Sequence, residues 1–397
     1  MPADTGIPQM DFALTSDQQA VRDAVQKVCA GFDDDYWLKH DSSGEFPTEF
    51  YDAVADGGWL GIAMPEEYGG AGLGVTDAAL MMHAVGRSAG AMSAASAIHI
   101  NIFGPHPIVV FGTQEQRQRW LPPLIQGQKK ACFGVTEPDA GLNTTSIKTF
   151  AEQKGDSYIV HGKKVWISTA RQADKIMLLT RTTAKEDCQH PTEGMTLFYT
   201  DLDRKYCDVQ AIPKMGRAAV DSNEVFIDGL PIPEDDRIGE EGKGFRYLLH
   251  SLNPERILIG MEAIGIGQNA LARAADYAKE RIVFDRPIGM NQSIQHPLAQ
   301  SWMELESAYL MAMKAAALYD RDEPCGLEAN SAKYLGAEAG FQACTRAVMT
   351  HGGMGYAKEY HVERLLREVM IARLAPVSPQ LILCNIAEKA LGLPKSY

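Results

Sequence analysis

A chain of 397 residues can bury a large core and divide into two or three domains. With 45% hydrophobic and 22% charged residues it is not a disordered chain, and a formal charge of −13 argues against nucleic acid or an anionic membrane as partner. The seven cysteines are odd in number and never spaced C-x-x-C, which points to reduced thiols and to no cysteine metal cage.

From Thr15 the pattern is helical, with Thr15 or Ser16 as cap, Asp17 in the first turn and Val21, Val25 and Val28 recurring at helical spacing. The N-terminal MPADTGIPQMDF has neither signal-peptide nor Arg-rich transit composition, and no window holds about 18 consecutive apolar residues. A cytoplasmic protein is expected, or a mitochondrial-matrix one if the source is eukaryotic and the chain already processed. A short helix is expected over Pro47–Ala55. The GGAGLG of Gly69–Gly74 lacks the Lys-Ser/Thr of a phosphate loop and reads as a turn. Asp77–Arg87 and Thr113–Leu121 are helical again. Between them Ala91–Ile100 is rich in small residues, which either pack closely or leave room for a ligand. His99 and His106, taken alone, read as satisfied structural histidines.

From Ala131 to about Ile238 short β runs alternate with turn signals: FGVT, YIVHGKKVWIS, IMLLTRTT, MTLFYTDL, NEVFID. From Gly242 helical segments return, at about 254–283, 294–321, 326–350, 361–373 and 378–391. The expected fold is therefore α+β and multidomain: an N-terminal helical domain (1–130), a middle β-domain (131–240) and a C-terminal helical bundle (241–397). GIGQNA at Gly265–Ala270 matches a dinucleotide pattern. It continues a helix and has no β-α-β frame, so it reads as close helix packing.

Two stretches organise the rest. Phe133–Gly141, FGVTEPDAG, is a strand entering a turn, and Val165–Ser168, VWIS, is a short β run carrying an indole. Together they resemble the flavin-binding pair of the acyl-CoA dehydrogenase family, TEPxAGSD and WIT/S, and further matches run from LTSDQQAVRDAV to VERLLREVMI. The resemblance implies FAD, held by Phe133, Val135, Thr136, Trp166 and Ser168. Arg281 and Phe284 would reach the flavin of a neighbouring subunit, with Gly352 and Gly353 near its adenine end and Ser378 and Gln380 in the C-terminal motif. It implies an acyl-CoA substrate, an electron-transfer flavoprotein as partner and a homotetramer built as a dimer of dimers. Departures stand at Leu142-Asn143, Ala218, Asp285 and Met349.

The usual catalytic Glu of the C-terminal Y-E-G-T-x-Q stretch is missing. Pro376 stands there, without a carboxylate and without an N–H. SLNPER resembles the LDLERL segment of the isovaleryl- and long-chain acyl-CoA dehydrogenases, whose base lies on another helix. Glu255 matches that base. Its local alternative is an acid in the first helical turn, after an Asn253 cap and Pro254. Asn253, Arg256, Ala95 and His99 are the implied substrate neighbours. The expected reaction is α,β-dehydrogenation of an acyl-CoA to the trans-2-enoyl-CoA. The rival keeps the flavin but makes the protein an oxidase or monooxygenase, because Pro376 alters the site. A flavin-binding scaffold without turnover is the third reading.

Overall fold

Thr15 caps the first helix in both directions: its hydroxyl accepts from the Gln18 N–H, and the Gln18 side chain accepts from the Thr15 N–H. The computed structural model describes residues 13–396. The N-terminal MPADTGIPQMDF, read above for targeting, lies outside the described residues. Helix α1 spans Ser16–Cys29. It is followed by α2 (Asp34–Ser43), α3 (Thr48–Asp56), α4 (Val75–Arg87), α5 (Ala91–Phe103), α6 (His106–Phe111) and α7 (Gln114–Ile125). Helix α2 escapes a reading by apolar periodicity, because DDYWLKHDSS has no clean stripe. Its ends define it instead: Asp33 accepts from the Tyr36 N–H at 2.9 Å, and Gly44 closes it at φ 72°. The GGAGLG stretch is irregular backbone, with Gly69 and Gly72 at positive φ.

The middle part is an eight-stranded sheet in the order β6-β7-β3-β2-β4-β5-β8, with β1 joined parallel to β4. Its strands are β1 (Ala131–Gly134), β2 (Phe150–Lys154), β3 (Ser157–Ser168), β4 (Lys175–Arg181), β5 (Met195–Asp201), β6 (Cys207–Ala211), β7 (Ser222–Pro233) and β8 (Arg237–Ile238). Strand β4 is buried on both faces, so it reads as a continuous apolar run. Met177 and Leu179 join one core, while Ile176 and Leu178 join the other.

The C-terminal bundle comprises α8 (Gly244–Glu280), α9 (Gln292–Asp320), α10 (Gly326–His351), α11 (Val362–Leu374) and α12 (Pro379–Leu391), with a hairpin of β9 (Ile282–Val283) and β10 (Arg286–Pro287) after α8. Helix α8 begins at Gly244, so Asn253 is not a cap and Pro254 lies inside the helix. A proline there leaves the His250 carbonyl without its intrahelical donor. The helix continues because buried Tyr247, Leu248, Ile257 and Leu258 anchor it on both sides.

Close packing fixes the bundle. A Cβ on Gly336 would lie 2.6 Å from the Gly260 carbonyl, and one on Gly267 would lie 2.7 Å from Leu305. Gly265 is pressed against the His83 carbonyl of α4. The GIGQNA pattern is thus helix packing. Asp320 at the end of α9 caps α4 from a distance, accepting from the Val75 and Thr76 N–H groups at 2.7 and 2.9 Å. That contact ties the first helices to the bundle. Ala91–Phe111 is apolar enough over 21 residues to cross a membrane, but 72% of its most apolar window is buried inside the protein.

Candidate active site

The turn after β1 is pinned by a buried ion pair. Lys164, fully buried in β3, donates to Glu137 Oε1 at 2.8 Å and to the Val135 carbonyl at 3.0 Å. Glu137 also accepts from the Lys148 and Thr149 N–H groups at 2.6 and 3.0 Å. Burial pushes the Lys164 amine down to about 8, and Glu137 opposes that shift. Lys164 and these amides, against the cost of burial, hold Glu137 below the usual carboxylate value. The Val165 N–H donates to the Thr136 carbonyl at 2.9 Å, joining turn and strand again.

Strand β3 then bulges. Its register against β7 shifts between Lys164 and Ile167, and Trp166 takes φ 62°, a conformation that a bulky residue rarely adopts. The bulge turns the indole outward, 58% exposed. The hydroxyls of Thr136 and Ser168 have no hydrogen-bond partner among the described residues, and both residues are only part-buried. Two free hydroxyls beside an outward indole on a pinned turn fit the edge and face of a flat, polar ring system. Phe133 lies behind, its ring 5.8 Å from Phe103 of α5.

Phe103 connects this turn to α8. One turn earlier on α5, His99 packs edge-on against Phe103 at 4.6 Å and its Nδ1 lies 2.5 Å from Glu262 Oε1. Glu262 is buried and its second oxygen has no hydrogen-bond partner among the described residues. Burial lowers the basicity of His99, but the Glu262 carboxylate more than offsets it and the imidazole is held above its ordinary value. Glu255 lies two turns before Glu262, on the same face of α8. Burial pushes Glu255 up to about 7, with His99 and Arg256 pulling it down and Glu262 pushing it further up. A carboxylic acid poised near neutrality is what a general base at neutral pH requires.

The other expected residues are spread over the fold. Arg256 Nη1 donates to Asn253 Oδ1 at 3.1 Å, beside Glu255. Ala95 is fully buried, so the small residues of α5 serve helix packing, and its polar residues Ser93, Ser96 and His99 follow one side. His106 is a structural histidine, 3.0 Å from the Tyr319 hydroxyl, and burial lowers it to about 4. Arg281, Gly352 and Gly353 share one end of the bundle, where Tyr277 stacks on His351 at 4.3 Å. Phe284, 93% exposed, and Asp285 hold φ 50° and 60° at the tip of the β9–β10 hairpin. The Ser378 hydroxyl caps α12, accepting from the Leu381 N–H at 3.3 Å, and Gln380 is exposed. The Ala375–Pro376 peptide is cis.

Comparison with known proteins decides the family. The acyl-CoA dehydrogenase N-terminal domain matches residues 15–128, the middle domain 132–230 and the C-terminal domain 242–389. The chain belongs to the acyl-CoA dehydrogenase family. It is therefore an enzyme, a flavin-dependent oxidoreductase. It is 37% identical to acyl-CoA dehydrogenase FadE12 of Mycobacterium tuberculosis over 392 residues, 97% of this chain and 99% of that one. It is 33% identical to CarC, a subunit of the caffeyl-CoA reductase–Etf complex of Acetobacterium woodii, over 83% of this chain and 86% of CarC. Butyryl-CoA dehydrogenase from Megasphaera elsdenii superposes with a TM-score of 0.91 at 28% identity, over 97% of this chain and all of that one.

Within this acyl-CoA dehydrogenase fold, sequence reasoning missed two groups. Glu262 was readable as the lone acid in the apolar run ILIGMEAIGIG. Arg217 stands one position before Ala218, where the family's usual arginine was sought. It takes φ 57° and its Nη1 donates to Ser96 Oγ at 3.0 Å.

Proposed function

We propose that this enzyme removes the Cα and Cβ hydrogens of an acyl-CoA thioester, with Glu255 as the base. The observation that carries the reading is a carboxyl group raised to about 7, on the α8 face that α5 connects to the Phe133 turn. Bound FAD would supply the hydride acceptor. Thr136 and Ser168 would hold the polar edge of the ring and Trp166 would cover a face. Glu255 takes the Cα proton on its carboxylate. Arg256 steadies the anion that Glu255 must be before transfer. The charged His99 does the same from the other side, and Glu262 keeps that proton on the imidazole.

The test is anaerobic mixing with a panel of acyl-CoA thioesters while the oxidised-flavin absorbance is followed. Bleaching together with enoyl product supports the reading; no bleaching, with flavin bound and reducible by dithionite, overturns it. Because the base must be ionised, kcat/KM is expected to rise with pH through about 7 and then level off. A profile flat from pH 5.5 to 8.5 would remove Glu255 from the role.

The name of CarC, a subunit in a complex with Etf, supports an electron-transfer flavoprotein as electron acceptor here. Reoxidation of the reduced enzyme by such a protein, faster than by air, tests it. Exposed Met349, Tyr356 and Phe284 at one end of the bundle support a homo-oligomer. Light scattering is expected to give a multiple of 43.4 kDa. Pro376 favours a second reading, an oxidase or monooxygenase, because it offers no N–H to the thioester oxygen. Rapid reaction of the reduced flavin with oxygen would support that alternative.

A further inference from the structure

The floor of the α5–α8 face is more polar than an alkyl chain calls for. Helix α5 is buried almost throughout, yet Ser93, Ser96 and His99 recur every third residue along one side. Each meets a charged group from a different element. The Ser93 N–H and Oγ donate to Glu368 of α11 at 3.0 and 2.6 Å. Ser96 Oγ accepts from Arg217, and His99 holds Glu262. A buried charge is normally paired, because desolvation costs far more than a loose hydrogen bond returns.

Arg217, deep in the fold but with part of its surface open, has no such pair. Its guanidinium contacts two hydroxyls, Ser96 at 3.0 Å and Ser222 at 3.4 Å. No carboxylate lies within ion-pair distance of it among the described residues. The two acids that attract it, Glu262 and Glu368, are already engaged. Glu262 holds His99; Glu368 holds Ser93 and, at 3.3 Å, Arg364. The loop that carries Arg217 is built to hold it inward. Lys214 Nζ donates to the Arg217 carbonyl at 2.8 Å, the Val220 N–H donates to it at 3.0 Å, and Arg367 grips the Met215 carbonyl at 3.2 Å. A Cβ on Gly216 would lie 2.8 Å from the Arg367 carbonyl, so the loop sits directly on α11. Keeping an arginine at φ 57° has a conformational cost, which is met where the side chain has a task.

We infer that Arg217, with Ser96 and the free side of His99, binds a carboxylate at the far end of the acyl group, so that the preferred thioester is a short ω-carboxyacyl one. The inference rests on the dehydrogenase reading and names its substrate class. The groups adjoin: His99 lies within electrostatic reach of both Glu255 and Arg217. A methyl-ended chain would leave the guanidinium facing it without a direct ion-pair partner, so discrimination comes from the unpaired charge as well as the paired one.

The test compares flavin reduction by straight-chain acyl-CoAs and by the mono-CoA thioesters of dicarboxylic acids of matched length, in wild type and in Arg217→Gln. The wild type is expected to favour the carboxylated series on the order of 10²-fold or more in kcat/KM. In the variant the ratio is expected to fall toward unity, mainly through KM. Wild-type reduction that favours the methyl-ended series, or a ratio unchanged in Arg217→Gln, overturns the inference while leaving the dehydrogenase reading intact. No bleaching by either series overturns that reading itself. The wild-type comparison stands alone should the variant not fold.

Discussion

Glu255→Gln is expected to keep its flavin and to lose flavin reduction by acyl-CoA on the order of 10²–10⁴-fold. The amide has nearly the shape of the acid and fills the same space on α8, so packing and the flavin turn are left as they are. What disappears is the site that receives the Cα proton. The neighbours do not replace it. Glu262 is committed to His99, two turns further along α8. Against the cost of burial, that carboxylate raises the basicity of His99 and so favours the protonated ring, which has no lone pair to offer. Pro376 carries no acid at all. The loss should appear in the reductive half-reaction and leave dithionite reduction unchanged. Stability should change little, because an acid raised to about 7 is in large part neutral near neutrality and an amide resembles that form. Near-normal reduction by the same thioester would show that another group takes the proton.

The architecture was legible wherever one local rule governed the chain. Apolar spacing placed α4, α9, α10, α11 and α12, and β-runs bounded by turn residues placed the sheet. Reading failed where tertiary contacts override local chemistry. Pro254 suggests a helix start, yet packed Tyr247 and Leu248 carry α8 back to Gly244. The site divided in the same way. The turn at Phe133 and the indole at Trp166 are contiguous motifs, and Glu255 emerges once Pro376 has emptied the usual position. The His99–Glu262 pair is separated by 163 residues, and no local pattern announces it. Arg217 is hidden from a motif comparison because the pattern sets its arginine one position later, at Ala218. Only packing shows that its guanidinium reaches Ser96, 121 residues earlier.

Lys164→Met is expected to empty the flavin site and destabilise the fold together. Methionine follows the lysine stem closely, so volume is roughly kept and the change is mainly electrostatic. Glu137, 5% exposed, would keep its two backbone donors but lose the one cation paired with it among the described residues. Removing one partner of a buried pair costs about 3–5 kcal/mol, because the other charge stays uncompensated. With Lys164 gone Glu137 is pulled upward by burial, so part of that loss is recovered at low pH as the acid takes a proton. The Val135 carbonyl loses its ammonium donor as well. The turn that positions Thr136 is then tied to β3 mainly by the bond from the Val165 N–H. Thermal melting and FAD content of the purified variant read the two effects separately. Adding Glu137→Gln removes the stranded charge and should restore much of the stability. It cannot restore a donor to Val135, so flavin occupancy should stay low. A double variant that regains both would mean that only the charge mattered. A single variant that melts normally and carries full FAD would mean that the pair does not pin the turn.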